Sequence, residues 1–486
     1  VTPHLARRLL FAAALLGLAG NWLLRAEFWR AGFLIWVLGI LGVIFAASRY
    51  MLTSGNTASD QTAHRERTVL LVSAALLTLL LVLRDAEILF VLDLFAVFVV
   101  AALIAWRASG RSLSTLEPRD AAVGGIATVS TVMAGAPMLA LRDAAPARLE
   151  SAQRRALGGY GVGAIVAAPV LIAVAMLLGS ADPLFAQLLE DAGAMLDVSL
   201  VGHVVGTLIA AWVVAGALRG SIIMTGAGTM AARMHPRLPF PIVAPLLAGL
   251  TVLLSVWIAL QVRTIFGGAE YVATASGVTV ADYARQGFFE LIVIAGIVLA
   301  ALLFTDEVLD RNAERERRTF RTFGLALLGL VSALLVSALF RLALYLRYFG
   351  LTEDRVLALA VLVWVAAVLG WFGLTVLRNA RVRFAPGVLV ISAIWLGALN
   401  LANPERWIVE TNLSRAERGL EFDIAYHAKL SGDALPALLD GADRLGPARA
   451  AELRAAISTV WTARAVERAD WRSWSIPYKL AAQRVQ

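Results

Sequence analysis

Apolar residues in this chain are grouped in long runs. Stretches at roughly 9–24, 31–48, 68–83, 88–106, 157–179, 201–218, 242–262, 288–305, 322–346, 356–377 and 384–401 consist almost wholly of Leu, Val, Ile, Ala, Phe and Gly. At 1.5 Å per residue, runs of this length cross a hydrocarbon core of about 30 Å. Backbone polar groups find no water there, so each run is predicted to be a helix. The expected fold is therefore all-α, a polytopic transmembrane bundle of about eleven spans. The first run follows Arg7-Arg8, as a signal sequence would, but the second begins so soon after it that an uncleaved helical hairpin is the better reading.

The pattern changes after residue 401. Polar residues become frequent, and the segment reads as a small helical appendage, giving a membrane domain 1–401 and a tail 402–486. Asn403-Pro404 has the form of a helix cap followed by proline at the first helical position. Ser431 is a candidate cap for the LPALLDG helix, with Asp433 in its first turn. Pro447 opens a third helix whose Leu453, Ile457, Val460 and Trp461 form one apolar stripe. A segment of this size with few aromatics is expected to pack on the membrane domain.

Composition agrees with the pattern: 59% of residues are hydrophobic and 16% charged, against about 25% charged in soluble domains. The absence of cysteine excludes disulfides, thiolate metal sites and cysteine nucleophiles. Nearly all basic residues are arginine, which reads as the codon bias of a high-GC bacterial genome. The net charge of +8 is therefore not read as a nucleic-acid footprint; the placement of the charges is more informative.

With loops numbered alternately, those on the side of the N-terminus hold 23 basic residues and those opposite hold seven. The positive-inside rule then puts the N-terminus in the cytoplasm and the tail outside, in a bacterial inner membrane. Residues 121–141 are apolar enough to tempt a twelfth span. Admitting it would send the cluster Arg311–Arg321 outside, so the loop 107–156 is expected to be cytoplasmic, amphipathic or re-entrant in part. That loop and RNAERERRTFR (311–321) are expected to fix topology and to touch anionic headgroups.

Motifs that carry chemistry are scarce. GxxxxGK[ST], HExxH and GxSxG are missing, and the five histidines are scattered. Accordingly no catalytic, cofactor or metal site is expected. Gly226-Ala227-Gly228 follows an apolar run without a strand and reads as a turn or packing feature. Charges within or beside spans carry more weight, because an unpaired charge in lipid is costly. Asp93, Arg263, Glu290 and Arg341 are of this kind, each explained by an interhelical ion pair, by a charge reaching the headgroups, or by a polar site. For Arg341, the expected partners are Asp93 and Glu290.

Several outward segments carry a resemblance: LLGSADPLFA (177–186), IFGGAEYV (265–272), YARQGFFEL (283–291), RLALYLRYFGLTEDRVLA (341–358), NPERWIVETNLSR with EFDIAYHAKLSGDALPALL (403–439), and DWRSW (470–474). Together they resemble the bacterial polytopic membrane proteins grouped as domain of unknown function 4173. That resemblance implies membrane residence; it brings no established activity, so no residue inherits a catalytic role from it.

Because the matching loops face outward and the outer loops are net acidic, the specific surface is expected outside. Its candidate members are Asp93, Asp182, Arg263, Tyr283, Arg285, Glu290, Arg341, Arg355, Asp423 and Asp433, with the loops 180–182, 283–285 and 350–352 converging on the tail. Three functions fit: a non-enzymatic envelope sensor, regulator or assembly protein; a transporter or channel; and an intramembrane enzyme acting on a lipid-linked substrate. Expected partners are the lipid bilayer and a membrane or envelope protein.

Overall fold

The computed structural model describes residues 3–25, 30–52, 59–108, 135–136, 138–143, 198–223, 243–259, 288–309 and 314–485. Among them there are fifteen α-helices and no strands. Five belong to a first bundle: α1 (Pro3–Leu23), α2 (Arg30–Leu52), α3 (Ser59–Leu83), α4 (Glu87–Ala108) and α5 (Val198–Ile223). A second bundle holds α6 (Val243–Ala259), α7 (Phe288–Val308), α8 (Glu314–Phe349), α9 (Glu353–Thr375) and α10 (Phe384–Ala402). The tail contributes α11 (Pro404–Ala416), α12 (Ile424–Ala428), α13 (Leu435–Gly441), α14 (Pro447–Glu467) and α15 (Ile476–Val485).

Seven segments are long and apolar enough to cross a membrane: Arg30–Ala47, Arg65–Leu83, Glu87–Ile104, Leu291–Val308, Glu314–Phe349, Glu353–Arg378 and Arg381–Ala402. They correspond to seven of the eleven expected spans. The apolar parts of α5 and α6 are shorter, Gly206–Ile222 and Val243–Ala259. α1 carries Arg7, Arg8 and Asn21 and is not one of the seven. The expected span 157–179 lies outside the described residues.

Each bundle has its own core. Leu9, Leu81, Val214 and Leu218 are buried in the first; Leu302, Leu327, Val331 and Phe372 in the second. α1 and α5 approach closely because small residues line the contact. A Cβ added to Gly17 would come within 2.4 Å of Ala211 Cβ, the kind of backbone approach that small residues permit between membrane helices. Large apolar side chains also remain on the outside, among them Phe11, Phe95, Phe98, Leu253 and Ile394. On a soluble protein such a surface would aggregate; on lipid it is the expected exterior.

α4 and α10 join the bundles, through Trp106 and Ala385 at one end and Asp93 and Asn400 toward the other. A third core belongs to the tail, built from Ile408, Leu413, Leu435, Leu453, Ile457 and Trp461, and it takes in Leu351 and Val356 beside the α8–α9 turn. Of the 121–141 stretch, Gly135, Ala136 and residues 138–141 are described. Ala136 and Leu139 are buried in the first core, and Leu139 starts a π-helical turn, Leu139–Asp143.

The tail's helix caps follow the sequence in part. Asn403 is the N-cap of α11, its Oδ1 accepting from the Arg406 N–H, with Pro404 next. The cap of α13 is Ala434, not Ser431, so Asp433 lies before that helix; Ser431 is turned to a different task. Thr352 occupies the N-cap position of α9, but its side chain makes no cap bond.

Candidate functional site

The turn between α3 and α4 is three residues long, Arg84-Asp85-Ala86. So tight a turn leaves Asp85 few outlets, and its carboxylate points into the tail. Oδ1 accepts from Ser475 Oγ (2.7 Å) and Arg468 Nη2 (2.9 Å), and Oδ2 accepts from the Gly432 N–H (2.9 Å) and Arg468 Nη1 (3.2 Å). Arg30 Nε is 3.8 Å away. Burial by itself would raise the carboxyl's pKa. The Arg468 and Arg30 charges, with hydrogen bonds from Arg468 and Gly432, outweigh it and hold Asp85 below the usual carboxylate range.

The tail answers in kind. Asp433 accepts from the Asp85 and Ala86 N–H groups and from Arg84 Nη1 (3.1 Å). Its charge lies at the amino end of α4, where free N–H groups and the helix dipole favour an anion. Arg30 closes the turn from α2, donating to the Arg84 and Asp85 carbonyls and lying over the Phe90 ring. Asp433 thus holds the backbone of the α3–α4 turn, and Asp85 holds the tail backbone at Gly432, across the junction between the tail and the first bundle.

A second junction forms where α8 turns into α9. Asn412 Oδ1 accepts from the Leu351 N–H (2.9 Å), and its Nδ2 donates to the Leu351 carbonyl (2.8 Å). Arg415 donates to the carbonyls of Arg347 and Tyr348 at the end of α8, whose last carbonyls lack helical partners. Gly350 takes φ +74°, and a Cβ there would lie 2.6 Å from Asn412 Oδ1, so only glycine fits without displacement. His427 is buried and stacked on Phe422. Its pKa is lowered, burial outweighing its contacts with Asp423, so the ring is neutral and can accept from Asn412 at Nε2.

Between these junctions, Glu405 is buried with its carboxyl accepting from the Ser431 N–H and Oγ–H. Burial is the largest cause that raises its pKa, to about 8, and the nearby Glu353 and Asp433 add to it. Glu353 and Glu405 share a crevice with Leu89, Leu92, Leu357 and Leu399.

Of the ten sequence-derived candidates, the structure describes five side chains. Asp433 belongs to the first junction. Asp423 caps α12 by accepting from the Tyr426 N–H. Arg355 donates to the Phe349 and Gly350 carbonyls and lies over Tyr345. Arg341 is buried, with its guanidinium 5.9 Å from the centre of the Trp257 ring. Asp93 is fully buried, and its Oδ1 accepts from Asn400 Nδ2 at 2.9 Å. These five do not form a single cluster. Asp182, Arg263, Tyr283, Arg285 and the side chain of Glu290 lie outside the described residues.

Arg30, Asp85, Glu405, Arg468 and Ser475 were not singled out from sequence. A carboxylate in a three-residue turn between two apolar runs was the available signal for Asp85. Nothing local marks Arg468, which is 383 residues away from the group it serves.

An all-α, multi-pass membrane protein with a helical tail clasped onto the turns between its spans is the class that fold and site define. Residues 71–441 match the family model described as domain of unknown function (DUF4153), and the chain belongs to that family. This corrects the resemblance to domain of unknown function 4173, whose stretches lie mostly at the expected span ends and in the tail, where arginine and aromatic residues recur at membrane interfaces in general. Neither the curated proteins nor the solved structures gave a match.

Proposed function

We propose that the chain is a non-enzymatic protein of the bacterial inner membrane, a sensor, regulator or assembly subunit, with its membrane domain 1–401 in the bilayer and its tail 402–486 outside. The observation that carries this reading is the double junction, in which described charges are spent on holding the tail. The ends of the described helices sort onto two faces. Trp22, Asp85 and Leu351 touch the tail. The opposite ends hold arginine pairs: Arg107 with Glu66, Arg219 with Asp143, and Arg381 with Asp306 and Glu307. α4 ends on the arginine face, whereas α5 begins on the tail face, where His203 meets Asn21 and Arg25. That alternation is consistent with the eleven-span parity, and the excess of basic residues supports a cytoplasmic arginine face.

A cysteine-free chain makes the test clean. Val466 is 77% exposed on α14, and a Val466→Cys variant is expected to react with a membrane-impermeant maleimide in intact spheroplasts. A photo-crosslinker on the same thiol is expected to trap a discrete envelope protein. Labelling only after lysis would overturn the orientation. A transporter is the second reading, favoured by Glu353 and Glu405 in one crevice. Solute-dependent proton or ion flux into liposomes holding the purified protein, with no protein adduct in cells, would establish it over the first.

A further inference from the structure

We propose that Asp93 carries a proton, as a neutral carboxylic acid locked to the Asn400 amide, and that this intramembrane proton site joins the two bundles. Asn400 Nδ2 has two hydrogens; one goes to Asp93 Oδ1 at 2.9 Å and the other to the Leu396 carbonyl at 3.1 Å. The second bond fixes the amide's orientation, because a flip would set Asn400 Oδ1 against the Leu396 oxygen, acceptor against acceptor. Two acceptors then remain, Asp93 Oδ2 and Asn400 Oδ1, both buried and accepting no hydrogen bond from the described residues. One hydrogen satisfies both. A proton on Asp93 Oδ2, donated to Asn400 Oδ1, closes a cyclic acid–amide pair in which each partner donates once and accepts once.

The surroundings favour the neutral form. Asp93 is 0% exposed and Asn400 4%, inside spans whose outer surfaces are apolar, where an ionised carboxylate needs a cation of its own. Among the described residues, the cations that act on it are Arg30 from α2 and Arg84 at the end of α3. Arg30 is engaged by Asp85 and two carbonyls, and Arg84 by Asp433. α5, also packed on α4, has Arg219 toward its other end, paired with Asp143. α10 offers the amide. Loss of the proton would leave a bare charge between α4 and α10, relieved by water entry or by parting of the two helices. The ligand of this site is the proton, and its occupancy is coupled to the contact between the bundles.

Infrared difference spectroscopy of the full-length protein in nanodiscs tests this directly. The wild-type spectrum minus that of Asp93→Asn, which keeps the shape and neutrality but not the acid, is expected to leave the carbonyl stretch of one protonated carboxylic acid, shifted in deuterium oxide, while the band of Glu405 is common to both and cancels. Asp93→Asn is also expected to melt close to wild type, and Asp93→Ala well below it. A spectrum unchanged by Asp93→Asn would overturn the proposal, as would equal destabilisation by the two variants. Should Asp93→Asn yield no folded protein, Asn400→Leu replaces it: the acid band is expected to move to higher frequency, and an unmoved band counts against the pair.

Discussion

Glu405 sits in the tail's first helix with no arginine or lysine among its hydrogen-bond partners in the described residues. Ser431 supplies an N–H and a hydroxyl, while Glu353 and Asp433 add negative charge. Burial comes first among the causes that lift its pKa, from an ordinary 4.5 to about 8. The folded state therefore holds a proton that the unfolded state releases. Stability from this group is fully present below about 4.5 and is lost as pH rises through about 8. The melting temperature of the purified protein is expected to fall across that range. Glu405→Gln, neutral throughout, is expected to flatten the fall. Equal slopes for wild type and variant would show that Glu405 stays ionised in the fold. Asp85, also buried where the turns meet the tail, has the opposite balance because Arg468 and Arg30 reach it.

At the scale of elements, the chain's joints rest on a few residues with special backbone. Asn403 ends α10 and caps α11 at φ +48°, a left-handed conformation that asparagine and glycine tolerate best. Asn403→Ala loses the bond to the Arg406 N–H and strains the backbone, an expected cost of about 1–2 kcal/mol. Asn403→Gly, which relieves the backbone but not the cap, is expected to cost a few tenths. Thermal unfolding of both variants checks the order, and a glycine variant weaker than the alanine one contradicts it. This joint was legible in the sequence, because Asn-Pro after an apolar run has one physical reading. α14 was legible too: Leu453, Ile457 and Trp461 are buried as their spacing requires, and Val460 is partly buried. The role of Ser431 was not, since its hydroxyl bonds whatever strong partner lies near, and here it donates to Glu405, 26 residues back, instead of capping α13.

For the whole molecule, apolar run length is a property of one segment, so the seven long spans could be read without knowledge of their neighbours. The junctions could not. Arg30, Asp85 and the pair Arg468 and Ser475 come from three distant parts of the chain, and no spacing rule links them. Their arrangement makes the tail a strap over both bundles, fixed to the first by the Asp85–Arg468 cluster and to the second by Asn412 and Arg415. Arg468 and Asp85 are both largely buried, with side chains 8% and 1% exposed. Breaking a buried pair by removing one partner costs about 3–5 kcal/mol, because the other charge is left uncompensated. Asp85 keeps Arg30, Ser475 and the Gly432 N–H, so Arg468→Ala is expected near the lower end of that range. The loss should persist in high salt, since screening reaches buried pairs poorly. Groups in one network do not add, so Arg468→Ala with Asp85→Asn should cost less than the two changes summed. Asn412→Leu acts at the other junction and should add to Arg468→Ala in full. Chemical unfolding in detergent of the single and double variants measures all three relations. Full additivity of Arg468 with Asp85, or an Arg468→Ala protein as stable as wild type, would mean that the tail is not held by this cluster.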